Sequence, residues 1–254
     1  MKVAPFTTIR VANSEAVSLE LDVTAELGTV RLLPRFGEET VLPLNGKAFG
    51  WPILTAPNTV TVEWLAPGSE NAAFKNYVEV VERHYFPLAS LKDYGDGRDD
   101  FDELSDETLW AARQAATDVF EEAAHRSFMA RIGRAKDYGR DGLLAASHDL
   151  REILTEGYAQ ESDSYLKRTT ACGPFPKWVE FIYGAETTPA AVSNAVLELA
   201  AYTLRPSNRP IGATGESTDA GYIHFTTAGR DGATAIPEVN AAIQQFGAGE
   251  RFVW

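Results

Sequence analysis

A chain of 254 residues, 44% hydrophobic and 23% charged, has interior enough for one large domain or two modest ones and the composition of a globular protein. Its 23 Lys and Arg against 36 Asp and Glu leave a net charge of −13 at pH 7, the opposite of the clustered cations with which a protein grips nucleic acid through its phosphates. The single cysteine, Cys172, excludes an internal disulfide framework and fits a reducing compartment.

The N-terminal region reads as strands. In "VSLELDVT" (17–24), Val17, Leu19, Leu21 and Val23 point one way and Ser18, Glu20, Asp22 and Thr24 the other, the mark of a half-buried strand. "TVRLL" (29–33) and "TVTVEWL" (59–65) repeat the alternation, with turn chemistry at Asn45-Gly46, Pro57-Asn58 and Pro67-Gly68 between them. A further run, "YVEVVERHYF" (77–86), closes a small antiparallel β-domain expected over residues 1–88.

An acidic linker is expected next, over 89–104. Residues 93–107, "DYGDGRDDFDELSDE", hold eight carboxylates against Arg98 alone. A calcium loop of the EF-hand type needs oxygen ligands at positions 1, 3 and 5. A start at Asp96 puts Arg98 at position 3 and a start at Asp100 puts Leu104 at position 5, so the register fails and the segment reads as solvated.

"SDETLWAARQAATDVFEEAAHRSF" (105–128) is the clearest helix. Ser105 suits the N-cap, and Asp106 and Glu107 lie where the helix dipole favours negative charge. Leu109, Ala112, Ala116, Val119 and Ala123 form one stripe, with Trp110, Thr117, Phe120, Ala124 and Phe128 beside it. The stripe is mostly small, which lets another helix approach closely and predicts the centre of a bundle. A β-rich insertion is expected over 128–184, with strands at 142–146, 151–159 and 177–184. In the last, Val179, Phe181 and Tyr183 alternate with Trp178, Glu180 and Ile182, a pattern for a strand covered on both faces. Thr188 as cap and Pro189 at N1 open a second helix to residue 204. An extended loop (205–235) leads to a third helix at 236–246, with Ile236, Val239, Ile243 and Phe246 on its apolar face.

Motifs of chemistry are missing. Of the four histidines, none has partners at a metal-ligand spacing, and His125 with Glu121 and Glu122 reads as an exposed helix face. There is no nucleophile elbow, Walker loop or dinucleotide fingerprint, and "GATGES" (212–217) and "AGRDGA" (228–233) read as loops. Cys172, alone in a Gly/Pro-rich loop, reads as incidental. No catalytic residue, cofactor or metal site is expected. The opening "MKVAPFTTIR" lacks the apolar core of a signal peptide, and the run 189–204 is broken by Ser193, Asn194 and Glu198, so no membrane span is expected.

Taken in order, "ERHYFPLASL" (82–91), the acidic linker, "SDETLWAARQAATDVFEEAAHRSFMAR" (105–131), "TTPAAVSNAVLELAAYTLRPSNRP" (187–210) and "TTAGRDGATAIPEVNAAIQQF" (226–246) resemble the head-to-tail adaptor (connector) proteins of tailed bacteriophages, especially those of actinobacterial hosts. The resemblance covers residues 82–246; the N-terminal β-region matches only loosely. Ala235 and Asn240 stand where such adaptors tend to have Gly and Asp, which bears on the local turn and cap.

The resemblance implies an α+β fold, a helix-bundle adaptor core with β-insertions beside the N-terminal antiparallel β-domain. It implies a structural virion protein at the neck, assembled in the host cytoplasm as a homo-oligomeric, dodecameric ring. Its partners would be the portal protein above and a stopper or other tail-side neck protein below, with DNA passing through without specific binding and no membrane involved. Under it, Ile236, Val239, Ile243, Phe246, Tyr222 and Phe225 are interface candidates, and Asp99, Asp100, Asp102 and Glu103 would face the lumen or an interface. Two other readings stay open: another neck or tail ring protein, such as a stopper or tail terminator, and a carbohydrate-binding module in which Trp51 and Trp64 stack on a sugar, although core packing is the commoner use of such tryptophans.

Overall fold

A computed structural model of the chain describes residues 1–94, 101–139, 142–170, 174–205, 215–218, 221–224 and 233–248, of which 215–218 and 221–224 are described by their backbone only. In chain order the elements are β1 (Lys2–Val3), β2 (Thr8–Ala12), β3 (Ser18–Leu21), β4 (Thr29–Pro34), β5 (Thr40–Pro43), β6 (Ala48–Gly50), β7 (Asn58–Leu65), β8 (Ala72–Val81), α1 (Leu88–Lys92) and α2 (Asp106–Ala124). There follow β9 (Arg131–Asp137), β10 (Leu143–Ala145), β11 (Leu150–Ile153), β12 (Tyr158–Ser162), β13 (Tyr165–Arg168), β14 (Lys177–Tyr183), α3 (Ala190–Leu204), the hairpin β15 (Gly215–Thr218) and β16 (Gly221–His224), and α4 (Pro237–Phe246). The fold is α+β. Met1–His84 with Arg126–Thr187 forms one compact unit, and Tyr85–His125 with Thr188–Trp254 forms another.

The β unit is built on a five-stranded sheet of order β2-β8-β7-β4-β5. Its pairs are antiparallel except β2, which joins β8 in parallel. In β7 the alternation places Val60, Val62 and Trp64 in the core. The short β1-β3-β6 sheet contributes Leu19, Leu21 and Phe49, and Phe49 meets Trp64 edge to face with centroids 5.4 Å apart. Trp64 is fully buried, and its indole N–H donates to Asn76 Oδ1 at 2.9 Å. The Asn76 amide in turn donates to Ala4 O at 2.8 Å and to Thr7 Oγ1 at 2.9 Å, so both side chains of this buried pair are hydrogen-bonded.

Residues 126–187 add two three-stranded sheets, β11-β14-β9 and β10-β13-β12, around Leu150, Tyr158, Leu166, Val179 and Phe181. The expected strand 151–159 is two strands, because the chain turns at Gly157 with φ +87°, a conformation that glycine takes without strain. β9 and β13 have no counterpart among the expected strands. "RIGRAKD" is charged at four of its seven positions and has Ile132 as its one large apolar residue, a pattern that hides the strand from a search for apolar alternation.

The helical unit packs α2 against α1, α3 and α4, and α3 against α1 and α4. Ser105 caps α2, its Oγ accepting the Thr108 N–H at 3.2 Å, with Asp106 and Glu107 in the first turn. Alanines dominate the seams: Ala112, Ala116 and Ala124 from α2, Ala195, Ala200 and Ala201 from α3, and Ala242 from α4 are all buried. Phe120, Val192, Val196, Leu199 and Val239 fill the remaining space.

Three local expectations are corrected here. The buried face of α2 runs through Leu109, Ala112, Ala116, Phe120 and Ala124, whereas Val119 is 44% exposed; Phe120 supplies far more apolar area than Val119, and it sets the rotation of the helix. Glu121 is buried and not on an open face, its Oε1 accepting the Tyr85 hydroxyl at 2.5 Å. Finally, α3 begins at Ala190 with Pro189 as N-cap, one residue later than expected. Within α4 Pro237 holds N1.

Candidate functional site

Two surfaces of the molecule lack the look of ordinary solvated exterior. One is a groove of about 850 Å³ between α3 and α4, floored by Ala191, Ala195, Ala241 and Ala242 and edged by Asn194, Glu198, Glu238 and Gln245. It is shaped by the same small residues that let the two helices approach. The turn before α4 is held by Asn240, whose Oδ1 accepts the Thr234 N–H at 2.8 Å while its amide donates to Thr234 O at 2.9 Å. An aspartate at 240 would accept but not donate, so this departure from the adaptor pattern carries its own second hydrogen bond.

The other surface is the outer face of the β9–β14 ladder. Cross-strand register places Lys136 opposite Trp178, Arg134 opposite Glu180, and Ile132 opposite Ile182. Tyr138 follows Lys136 on the same side. The Lys136 ammonium lies 5.2 Å from the Tyr138 ring centroid and 5.6 Å from that of Trp178, within cation–π range of both. Tyr138 is 64% exposed and Trp178 57%. Glu180 accepts from Arg35 at 2.6 Å and Arg134 at 2.8 Å. Three cations thus line the strip with one carboxylate among them. The expectation that β14 is covered on both faces is corrected: Val179 and Phe181 are buried, and Trp178 stands open.

Behind this ladder the charges are closed sets. Asp137, on the opposite side of β9, is buried and accepts from the Tyr158 hydroxyl at 2.8 Å, the Gly139 N–H at 2.8 Å and Arg168 at 3.2 Å. Burial works to raise its pKa, and these donors outweigh burial and hold it below the usual carboxylate range. Glu79 is clasped by Arg10 at 2.8 Å and Arg131 at 2.6 Å. Burial pushes against its charge as well, and the two guanidiniums prevail, leaving its pKa lowered.

Among the interface candidates, Ile236 and Val239 are buried, and Ile243 and Phe246 are half-buried. Tyr222 lies in β16, described by backbone alone, and Phe225 lies outside the described residues, as do Asp99, Asp100 and Cys172. Asp102 and Glu103 are exposed. Ile236, Val239, Ile243 and Phe246 stand together on α4 and the residue that caps it. Trp64 is sealed in the core, which removes it from any sugar-stacking platform, and Trp51 is half-buried with its ring 6.1 Å from Phe49. Among the described residues there is no group of three His, Cys, Asp or Glu that would hold a metal ion, and no helix is long and apolar enough to cross a membrane. The β9–β14 strip was missed by sequence reasoning. The signal was present as Arg134, Lys136 and Tyr138 at alternate positions, facing Trp178 and Glu180.

No family of known proteins matches the chain by sequence, and no curated protein does. Among solved structures, similar chains include one from the virion of a native gene transfer agent particle, with a TM-score of 0.43 and 16% identity over 66% of this chain and 92% of that one. Another comes from the neck of an empty gene transfer agent particle, with a TM-score of 0.35 and 17% identity over 50% of this chain and 82% of that one.

Proposed function

We propose that this chain is a structural protein of the neck of a tailed, phage-like particle: a head-to-tail adaptor that forms a dodecameric ring below the portal, continues the DNA channel, and offers its lower face to the next tail-side ring. The observation that carries this reading lies in the chain itself. The three helical segments that resemble adaptor proteins, separated by up to about a hundred residues of sequence, are α2, α3 and α4, and they pack on one another as one bundle. The alanine-rich seams fit a subunit whose helices lie close to one another and to those of a neighbour in a ring.

The acidity then has a use. A cationic wall would hold passing DNA through released counterions, whereas a wall of like charge keeps a hydrated gap. The chain's acidic excess, a net charge of −13, supplies carboxylates for such a wall. The test is removal of the gene followed by electron microscopy of the particles. Filled heads without tails are expected, together with a ring of this chain between portal and tail in the wild type. Tailed infectious particles lacking the chain would overturn the reading, and a location one layer lower would make it a stopper.

A further inference from the structure

We propose that the Tyr138–Lys136–Trp178 strip on β9 and β14 is a docking surface for a second copy of the chain, and that it seats on the acidic stretch at the start of α2 in that copy. The inference rests on the ring reading above, and it names the contact that would join neighbours.

The rings come first. A tryptophan 57% exposed beside a tyrosine 64% exposed is the kind of residue pair that dominates protein interfaces when it becomes covered. Trp178 stands on a seven-residue antiparallel ladder and Tyr138 directly follows its last paired residue, Asp137, and the two rings share the Lys136 ammonium between them. Little side-chain freedom remains to be lost on docking, which favours affinity.

Charge chooses the partner. Arg35, Arg134 and Lys136 against Glu180 make the strip cationic. Over residues 126–187 the chain carries 9 Lys and Arg and 9 Asp and Glu, whereas residues 85–125 carry 3 against 11. The helical segment therefore holds a balance of −8 out of the total of −13. Asp102, Glu103 and Asp106 are exposed within it, and Asp106 already engages a cation, Lys92, at 2.7 Å. The strip repels another strip and the acidic stretch another acidic stretch, so the contact runs from strip to stretch; under the ring reading it is made head to tail, the arrangement that closes when the rotation permits. A nucleic acid is the weaker occupant, since a protein of net charge −13 repels a polyanion at long range.

Carbodiimide cross-linking of the purified full chain, mixed as equal parts unlabelled and 15N-labelled, reads the contact directly. The expected result is an isotopically mixed cross-link from Lys136 to the peptide holding Asp102, Glu103 and Asp106. Its yield should fall about tenfold or more in Trp178→Ala and at about 0.5 M salt. Combining Lys136→Glu with Asp106→Lys in one chain should bring association back, measured by light scattering. Trp178 is open enough that its removal leaves the fold intact, which circular dichroism checks. Cross-links from Lys136 confined to single chains would overturn the proposal, as would mixed cross-links that survive Trp178→Ala unchanged. So would a fluorescent single-stranded oligonucleotide bound by the wild type and lost from Trp178→Ala. If particles carry the ring and this cross-link is missing, the docking surface falls and the neck assignment stands. If the cross-link forms and particles lack the chain, the reverse holds.

Discussion

In the β unit the buried charges come in closed sets: Glu79 between Arg10 and Arg131, Asp137 among Tyr158, Arg168 and the Gly139 N–H, Glu63 between Arg31 and Lys75. In the helical unit the seams are alanine, and what holds them is closeness. The two regions should therefore fail in opposite ways. Removal of a group should be the damaging change at the closed charge sets of the first, and addition of a group at the alanine seams of the second.

The largest effect is expected from Glu79→Ala, which strands the buried Arg10 guanidinium without its carboxylate. Breaking one side of such a set destabilises by about 3–5 kcal/mol, and a urea titration of the two proteins measures it. The pH dependence carries a definite sign. The pKa of Glu79 is lowered in the fold, so its stabilisation is complete above the ordinary carboxylate range, about 4. It fades as pH falls through the lowered value. The gap in stability between wild type and Glu79→Gln should accordingly close in acid. A gap that stays constant from neutral pH to pH 2 would mean the carboxylate is not held charged by its arginines.

The second effect belongs to the bundle. Ala200 is fully buried on α3, and Ala200→Leu should cost about 1–3 kcal/mol through overpacking, even though it adds apolar area. The matching enlargement at Ala145, exposed on β10, should cost nothing measurable. A stabilising Ala200→Leu would show that the seam holds unused space and that close approach is not what the alanines are for.

How far this was readable beforehand differs between the regions for a physical reason. The three bundle helices were placed within a few residues, because caps and small-residue spacing are local features written into neighbouring positions, as Ser105 and Pro237 are. The central strands around Val60, Val62 and Trp64 were equally plain. The partner relations were not. Nothing near Glu79 announces Arg10, which meets it through the β2–β8 register, or Arg131, which reaches it from a separate sheet, and the burial of Glu121 depends on Tyr85 arriving against it. The outer face of β9 was invisible for the same reason: its meaning depends on Trp178 arriving opposite Lys136.

A smaller effect tests the cap at the foot of the bundle. Ser105→Ala removes the acceptor for the Thr108 N–H and should destabilise the helical unit by about 1 kcal/mol, with Ser105→Asp close to wild type. Equal stability of all three would place the first turn of α2 among frayed ends, outside the cooperative core.

The smallest expected effect is the most discriminating about rotation. Val119 lies on the stripe that helical periodicity nominates, one residue from Phe120, yet it is 44% exposed while Phe120 is fully buried. If the helix is turned as described, Val119→Ser changes the stability of the isolated chain by no more than about 0.5 kcal/mol, and Phe120→Ala costs about 3–5. A large loss from Val119→Ser in the isolated chain would mean that α2 is rotated toward its periodic stripe. A loss seen only in assembled rings would instead mean that a neighbour covers Val119, so the same substitution separates packing within one copy from packing between copies.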